Sequence, residues 1–373
     1  MPSKAARHRS SATPLALAYA ALVLYASLYP FAGWRWPPGQ TLATMAVLSW
    51  PPWRAEFDNW SNLLGYLPLG ALLLFAARRS GLSVTASLLL AVGGPALLSY
   101  AMEVLQHFVA GRHPSLKDLA LNSAGALCGA LLAGLCQAVG LVDRWHLLRE
   151  RWFARDSAGA LALLALWPVG LLFPAPVPFG LGQVGERLRE TLAGWLQDVP
   201  WAAATHALLA TPAPPATPLR PLAEALIVAC GLLAPCLLAY TVAAPGRRRV
   251  ALALGAFALG IGGMSLSALL NFGPAHALAW LTPAALPGLA LGALATLALV
   301  PLPRRLAAGV GLVALTGLVV GVAQAPADPY FAQSLVAWEQ GRFVRFHGLA
   351  QWIGWLWPFA AMGWMLSRLG ARD

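Results

Sequence analysis

Residues 250–270, VALALGAFALGIGGMSLSALL, are 21 consecutive residues without a charged side chain. An α-helix needs about 20 apolar residues to cross the hydrocarbon core of a bilayer. Polar and apolar residues do not alternate in this run, so it lacks the pattern of a transmembrane β-strand. This stretch therefore predicts a membrane-spanning helix, and it sets the fold class of the chain.

Similar runs recur along the chain. Of its 373 residues, 59% are hydrophobic and 10% are charged, whereas soluble domains carry about 25% charged residues. The composition excludes an ordinary soluble protein, a disordered chain and a collagen-like one. We predict an all-α, polytopic transmembrane helical bundle of about ten spans, at residues 14–33, 61–77, 82–108, 118–142, 157–174, 222–243, 250–270, 282–300, 306–324 and 349–367.

The basic residues predict the orientation of these spans. Of the 25 Lys and Arg residues, 16 fall in one alternate set of segments between spans and 9 in the other. Because cytoplasmic loops are enriched in Lys and Arg, the first set is predicted to be cytoplasmic, with both termini on that side. The net charge of +11 is thus explained by topology, and nucleic-acid binding is not expected.

The charged stretch 143–156 suggests a division into two domains. Residues 1–145 are predicted to form a four-span domain, and residues 146–373 a six-span domain with two long extracytoplasmic segments, 174–221 and 325–348. Within the first segment, apolar residues recur at helical spacing between Gln183 and Gln197. That spacing predicts an amphipathic helix lying flat on the outer membrane surface.

Polar residues gather at the predicted outer ends of spans 2, 3 and 4. Glu103 and Gln106 are three residues apart, and Asp118 and Asn122 are four apart, so each pair shares a helix face. Ionisable residues in spans are costly and are functional candidates by default. We predict that these residues form one polar pocket just below the lipid headgroups of the outer leaflet. Span 6 begins near Glu224, which is predicted to lie on the same side of the membrane. The polar residues at these three ends include Asn62, Glu103, Gln106, Arg112, Asp118 and Asn122.

These residues also carry a resemblance to a known family. The segment FDNWSNLLGYLPLG at 57–70, the pattern E-x-x-Q at 103–106 followed by Arg112, and D-x-x-x-N-x-x-G at 118–125 resemble the VanZ-like membrane family over roughly residues 15–142. The resemblance implies a small helical membrane domain with its polar residues at helix ends, in a bacterial cytoplasmic membrane. By motif position, it marks Asn62, Glu103, Gln106, Arg112, Asp118 and Asn122 as the candidate ligand-binding residues. The family namesake is associated with teicoplanin resistance, but the resemblance implies no settled biochemical activity.

The leading functional hypothesis is a binding protein. Arg112, with Lys117 nearby, would pair with the phosphate of an envelope lipid or lipid-linked precursor, since Arg presents a planar fork suited to phosphate. A link to cell-envelope or glycopeptide-antibiotic tolerance would follow. The alternatives are a transporter or flippase, a membrane-embedded lipid-modifying enzyme using Glu103 or Asp118 as general base, and a purely structural hydrogen-bonded network.

Motifs for enzymatic chemistry are missing from the sequence. It contains no phosphate loop of the G-x-x-x-x-G-K-[ST] type, no H-E-x-x-H, no G-x-S-x-G and no cysteine pair with zinc spacing. The four cysteines lie inside apolar runs and are interpreted as buried hydrophobes. We therefore predict no metal and no cofactor, assign no catalytic residue, and leave an enzymatic function and the oligomeric state open.

Overall fold

A computed structural model of the protein describes residues 12–28, 31, 33–51, 56–109, 111–154, 156–210, 219–325 and 344–370. In these ranges the chain forms helices joined by turns and irregular segments, with two isolated β-bridges and no β-strand. The prediction of an all-α fold is therefore confirmed.

The chain divides into two compact units, residues 1–147 and 148–373. The first contains α1 (Ala12–Leu28), α2 (Leu42–Ala46), α3 (Glu56–Arg79), α4 (Val84–Gln106) and α5 (Leu116–Ala138). The division falls within α6 (Leu141–Trp152), close to the predicted domain boundary. The second contains α7 (Ala158–Gly170), α8 (Val184–Leu196), α9 (Ala203–Ala210), α10 (Pro221–Tyr240), α11 (Arg247–Phe272), α12 (Ala285–Ala298), α13 (Arg304–Ala323) and α14 (Val344–Gly370).

Each of the ten predicted runs overlaps one of these helices. In the part of the chain that the structure describes, six helices are long and apolar enough to cross a membrane: α3, α4, α5, α10, α11 and α13. Helices α1, α7 and α12 are apolar but shorter; the 13 residues of α7 extend only about 20 Å, against a hydrocarbon core of about 30 Å. The protein is an integral, multi-pass helical membrane protein, while the count of ten spans, the four-plus-six assignment and the side of each terminus stay predictions.

The second unit is built around α10, the most enclosed of the six long apolar helices. Helices α12 and α13 pack along it, and α14 packs against α7 and α13. The core of this unit contains large, fully enclosed side chains such as Trp167, Phe179, Tyr240 and Leu315. Many leucines on the outward faces of both units are exposed, as expected for surfaces that contact lipid.

A non-helical segment, residues 171–183, lies inside the second unit. We predicted a span over 157–174, but α7 ends at Gly170, and three prolines at 174, 176 and 178 prevent the helix from resuming. Phe179 adopts a φ of 62°, and its side chain lies between Trp167 and Trp280. Gly231 and Gly260 leave room for it, because a Cβ at either position would come within 2.8 Å of Phe179.

Neighbouring helices satisfy the backbone of this segment. The carbonyl of Leu172 accepts hydrogen bonds from Ser267 Oγ at 3.0 Å and Asn271 Nδ2 at 3.3 Å. The N–H of Gly182 donates to the carbonyl of Gly354 at 3.0 Å. Non-helical backbone is tolerated at membrane depth only when it is buried in protein or lines a cavity. The first part of the predicted outer segment 174–221 is thus packed into the core of its unit, a placement that Pro-rich composition alone did not indicate.

A buried arginine joins the helix ends at the opposite side of the second unit. The Arg249 side chain is fully enclosed, and its guanidinium donates to the carbonyls of Tyr240 and Val300, both at 2.8 Å, and of Ala243 at 3.2 Å. It also lies 5.0 Å from the centre of the Tyr240 ring. Because carbonyls at helix C-termini carry partial negative charge, one cation stabilises the ends of α10 and α12 together.

The structure describes one of the two predicted extracytoplasmic segments in more detail than the other. Helix α8 occupies Val184–Leu196, so the helix expected between Gln183 and Gln197 is confirmed, while its position on the outer membrane surface stays a prediction. The second segment, 325–348, lies mostly outside the described residues.

Candidate functional site

Three helices of the first unit bring six polar side chains together. We call this set the polar cluster; its members are Tyr66 on α3, Ser99 and Glu103 on α4, Ser115 before α5, and Asp118 and Asn122 on α5. None of these residues is more than 6% exposed. Burying a polar group costs free energy unless the group is hydrogen-bonded. The hydrogen bonds within the cluster therefore show which of its polar atoms are already satisfied.

Glycines on α5 allow the close packing that builds the cluster. A Cβ added at Gly125 or Gly129 would overlap the carbonyl oxygen of Leu63 or Leu67 on α3. Small residues spaced four apart let helix backbones approach each other closely in membranes. The backbone contact between α3 and α5 therefore places the polar residues of the two helices at one end of the same bundle.

The carboxylate of Glu103 closes the turn between α4 and α5. Its Oε2 accepts a hydrogen bond from the backbone N–H of Ser115 at 2.8 Å. Ser115 is the N-cap of α5, and its hydroxyl accepts from the N–H groups of Lys117 at 3.1 Å and Asp118 at 3.2 Å. Two carboxylates, Glu103 and Asp118, thus lie at the N-terminus of a helix, where the helix dipole favours negative charge.

One helical turn after Asp118, the side-chain amide of Asn122 bridges α5 and α4. Its Nδ2 donates to Ser99 Oγ at 2.8 Å. The Tyr66 hydroxyl on α3 lies within reach of the Ser99 hydroxyl, which already accepts from Asn122, but the geometry between the two hydroxyls is not that of a hydrogen bond. Tyr66, Ser99 and Asn122 therefore form a level of the cluster at which all three helices meet.

Several buried polar atoms of the first unit have no hydrogen-bond partner, and three of them lie in or next to the polar cluster. They are Tyr66 Oη, Asn122 Oδ1 and Asn62 Nδ2. Asn62 lies one turn nearer the start of α3 than Tyr66, on the same face. An unsatisfied buried polar group costs about 1–3 kcal/mol, and such groups are rare unless a water or ligand satisfies them. Together they make this end of the bundle a candidate site for a bound polar group.

The six predicted site residues are not all brought together. Glu103, Asp118 and Asn122 belong to the polar cluster, and Asn62 shares the face of Tyr66. Gln106 instead donates through Nε2 to the carbonyl of Ser27 at 3.1 Å, so this donor ties α4 to the end of α1.

Arg112, the sixth predicted residue, lies in the turn between α4 and α5. It is partly buried, and its N–H donates to the carbonyl of Val109 at 3.2 Å. It precedes Ser115 by three residues, in the turn that the Glu103 carboxylate fixes. Glu224, expected on the same side, accepts a hydrogen bond from Thr282 Oγ1 at 2.8 Å within the second unit.

Sequence reasoning missed three members of the cluster. Tyr66 follows Asn62 by four residues and Ser99 precedes Glu103 by four, so each shares a helix face with a residue that was identified. Ser115 precedes Asp118 by three, a spacing typical of an N-cap. These spacings could have identified all three residues from the sequence.

The segment from Trp34 to Pro51 covers the ends of α4 and α5. The N–H of Arg35 donates to the carbonyl of Phe108 at 2.8 Å, and the N–H of Leu116 donates to the carbonyl of Ser49 at 2.9 Å. The hydroxyl of Tyr100 donates to the carbonyl of Ala46 at 2.8 Å. This cover segment packs against the helix ends that carry the site.

Within the described residues, no three His, Cys, Asp or Glu side chains are grouped so that they could hold a metal ion. The chemistry that the site can offer comes from its carboxylates, amides and hydroxyls, together with Arg112 and Lys117 in and after the α4–α5 turn.

The fold and the polar cluster define a class: a polytopic helical membrane protein with buried polar residues at one end of its N-terminal bundle. The family model described as VanZ/LLP1 matches residues 5–137. The N-terminal third of the chain thus matches this family model, which confirms the resemblance seen in the sequence. No curated protein and no solved structure gave a significant match.

Proposed function

We propose that the polar cluster binds the headgroup of an envelope lipid or lipid-linked precursor. The observation that carries the proposal is the set of three buried polar atoms without a partner, Tyr66 Oη, Asn122 Oδ1 and Asn62 Nδ2. They offer both donors and acceptors. A bound polar headgroup would satisfy them and would recover the free energy that their desolvation costs.

The charges near the cluster support a headgroup that carries phosphate. Arg112 and Lys117 flank Ser115 in the chain, at the end of the cluster nearest the α4–α5 turn. Arginine suits phosphate because its planar fork donates two parallel hydrogen bonds. In this proposal the phosphate lies at Arg112, and the uncharged part of the headgroup reaches Asn122 and Tyr66.

A lipid is favoured over a soluble ligand because of the surroundings of the site. The helices that carry it are apolar enough to span a membrane, and α3 exposes Trp60 and Leu64 on its outward face. An amphiphile can therefore reach the site from the bilayer while its acyl chains stay in lipid. If the bound molecule is a precursor of the cell envelope, its capture would connect the protein to glycopeptide-antibiotic tolerance.

One observation favours transport as a second candidate. Transporters often use interrupted helices near the middle of the membrane, and residues 171–183 form a buried, non-helical continuation of α7. This segment is packed against apolar side chains of its unit, which supports a structural role equally well. A catalytic role for Glu103 or Asp118 stays a prediction without a supporting contact.

Native mass spectrometry of the detergent-purified protein tests the binding proposal. The wild type should retain a discrete lipid mass, which Arg112→Ala and Asp118→Asn should both lose. The matched control is Arg78→Ala at the opposite end of α3, where the side chain is exposed and donates to the carbonyl of Leu82; this variant should keep the lipid. Equal lipid content in all four proteins, or none in any, would contradict the proposal.

A further inference from the structure

Residues 184–210 of the second unit form a helical hairpin, which we call the surface hairpin. It consists of α8, a short 3₁₀ turn at Pro200–Ala202 and α9. The two helices pack against each other, and neither packs extensively against another described helix. The hairpin therefore has a face that the rest of its unit does not cover.

That face is apolar. Leu188 and Trp195 lie on one side of α8, and they are 53% and 73% exposed. Trp201 and Leu208, in the turn and on α9, are also largely exposed. Glu190, on the opposite side of α8, is exposed as well, so the helix is amphipathic, with its apolar face uncovered.

The connections of the hairpin place it at one end of the membrane helices. Just before it, Gly182 donates its N–H to the carbonyl of Gly354, near the start of the predicted span 349–367. A Cβ on Gly182 would come within 3.0 Å of Val319, near the end of the predicted span 306–324. After the hairpin, the chain enters the membrane helix that begins at Pro221. Both connections thus lead to the level of the membrane–water interface.

We propose that the surface hairpin lies in the membrane interface, with its exposed apolar side chains, Leu188, Trp195, Trp201 and Leu208, inserted among the lipids. Tryptophan suits this location because its ring is apolar at one edge and polar at the other. The occupant of the uncovered face is thus the bilayer and not a protein.

The charge of the hairpin specifies the kind of lipid surface. Residues 184–210 contain two arginines, no lysine and three carboxylates. A segment attracted by anionic lipids carries clusters of basic residues instead. Apolar burial must therefore drive the insertion, so it should occur in zwitterionic bilayers and should not weaken at high salt.

Fluorescence labelling of the full-length protein in phosphatidylcholine nanodiscs tests this inference. The four native cysteines are replaced by alanine, and the environment-sensitive dye NBD is attached at Leu188→Cys or, as the matched control, at Glu190→Cys. We expect blue-shifted emission and strong quenching by brominated phosphatidylcholine at position 188. At position 190 we expect the emission of a water-exposed dye, with several-fold weaker quenching.

Two outcomes would overturn the inference. Equal spectra and equal quenching at both positions would show that the hairpin does not insert. Blue-shifted emission at position 188 without quenching by brominated lipid would show that protein covers this face. If the cysteine-free chain does not fold, a benzophenone amino acid at the same two positions makes the same comparison, because photo-crosslinking should give lipid adducts only at position 188.

Discussion

The carboxylate of Glu103 near the end of α4 accepts a hydrogen bond at 2.8 Å from the backbone N–H of Ser115, the N-cap of α5. This bond closes the turn between two membrane helices, and the turn contains Arg112. The charged group that closes the turn is also adjacent to the level where Tyr66 and Asn122 have unsatisfied atoms. The stability of the turn and the binding of a headgroup are therefore expected to be linked.

Two substitutions of Glu103 should separate the contribution of its charge to stability from the contribution of its hydrogen bond. Glu103→Ala leaves the Ser115 N–H buried without its acceptor and should lower the free energy of unfolding by about 2 kcal/mol. Glu103→Gln can still accept through its amide oxygen and should lose less. Thermal unfolding of both variants in detergent makes the comparison. Equal losses would contradict the importance of this hydrogen bond.

The close approach of α3 and α5 predicts a steep cost for a methyl group at Gly129. A Cβ there would overlap the carbonyl oxygen of Leu67, and overpacking of this kind costs about 1–3 kcal/mol. On the same helix, a Cβ at Gly134 would meet Leu74 at an ordinary 3.7 Å. Gly129→Ala should therefore lower the thermal midpoint in detergent, while Gly134→Ala should leave it nearly unchanged. The reverse order would show that the backbone contact is wrong.

Arg249 should be the most destabilising arginine to remove from the second unit. Arg249→Ala leaves several buried carbonyls without a donor, and we expect a loss of more than about 3 kcal/mol in the free energy of unfolding. Arg247, two residues earlier, is exposed, so Arg247→Ala is the matched control and should be nearly neutral. Unfolding titrations in mixed micelles measure both. Similar stability of the two variants would rule out a role for the buried guanidinium in joining the helix ends.

The sequence predicted the helices better than the connections between them. Hydropathy depends on local composition, so each of the ten apolar runs overlaps a helix. The early end of α7 was missed because a Pro-rich stretch has the same composition in a surface loop and in a buried segment. Only the space left by Gly231 and Gly260, on distant helices, places Phe179 in the core.

The sequence predicts which residues share a face of a helix, and only that part of the candidate site could be predicted. The spacing of Asp118 and Asn122 correctly indicated a shared face, and both residues are buried together. The partner of Gln106 was not predictable, because the sequence shows which face carries a side chain but not which backbone carbonyl it meets. Ser99 and Tyr66 were overlooked because neutral polar residues are common in membrane helices and carry little signal alone.

Tyr66→Phe distinguishes a binding site from a structural network. Tyr19→Phe is the matched control, because Tyr19 lies in the same unit and its hydroxyl already donates to the carbonyl of Gly65 at 2.9 Å. The control should lose about 1 kcal/mol of stability and should keep any bound lipid. Removing an unsatisfied hydroxyl from an empty site would instead be neutral or stabilising.

The most direct test of the central claim is native mass spectrometry of Tyr66→Phe beside wild type and Tyr19→Phe, paired with thermal unfolding before and after delipidation. We expect Tyr66→Phe to retain less lipid than the other two proteins and to be less stable than wild type only while lipid is present. Unchanged lipid content, together with unchanged or higher stability in Tyr66→Phe, would contradict a headgroup site at the polar cluster.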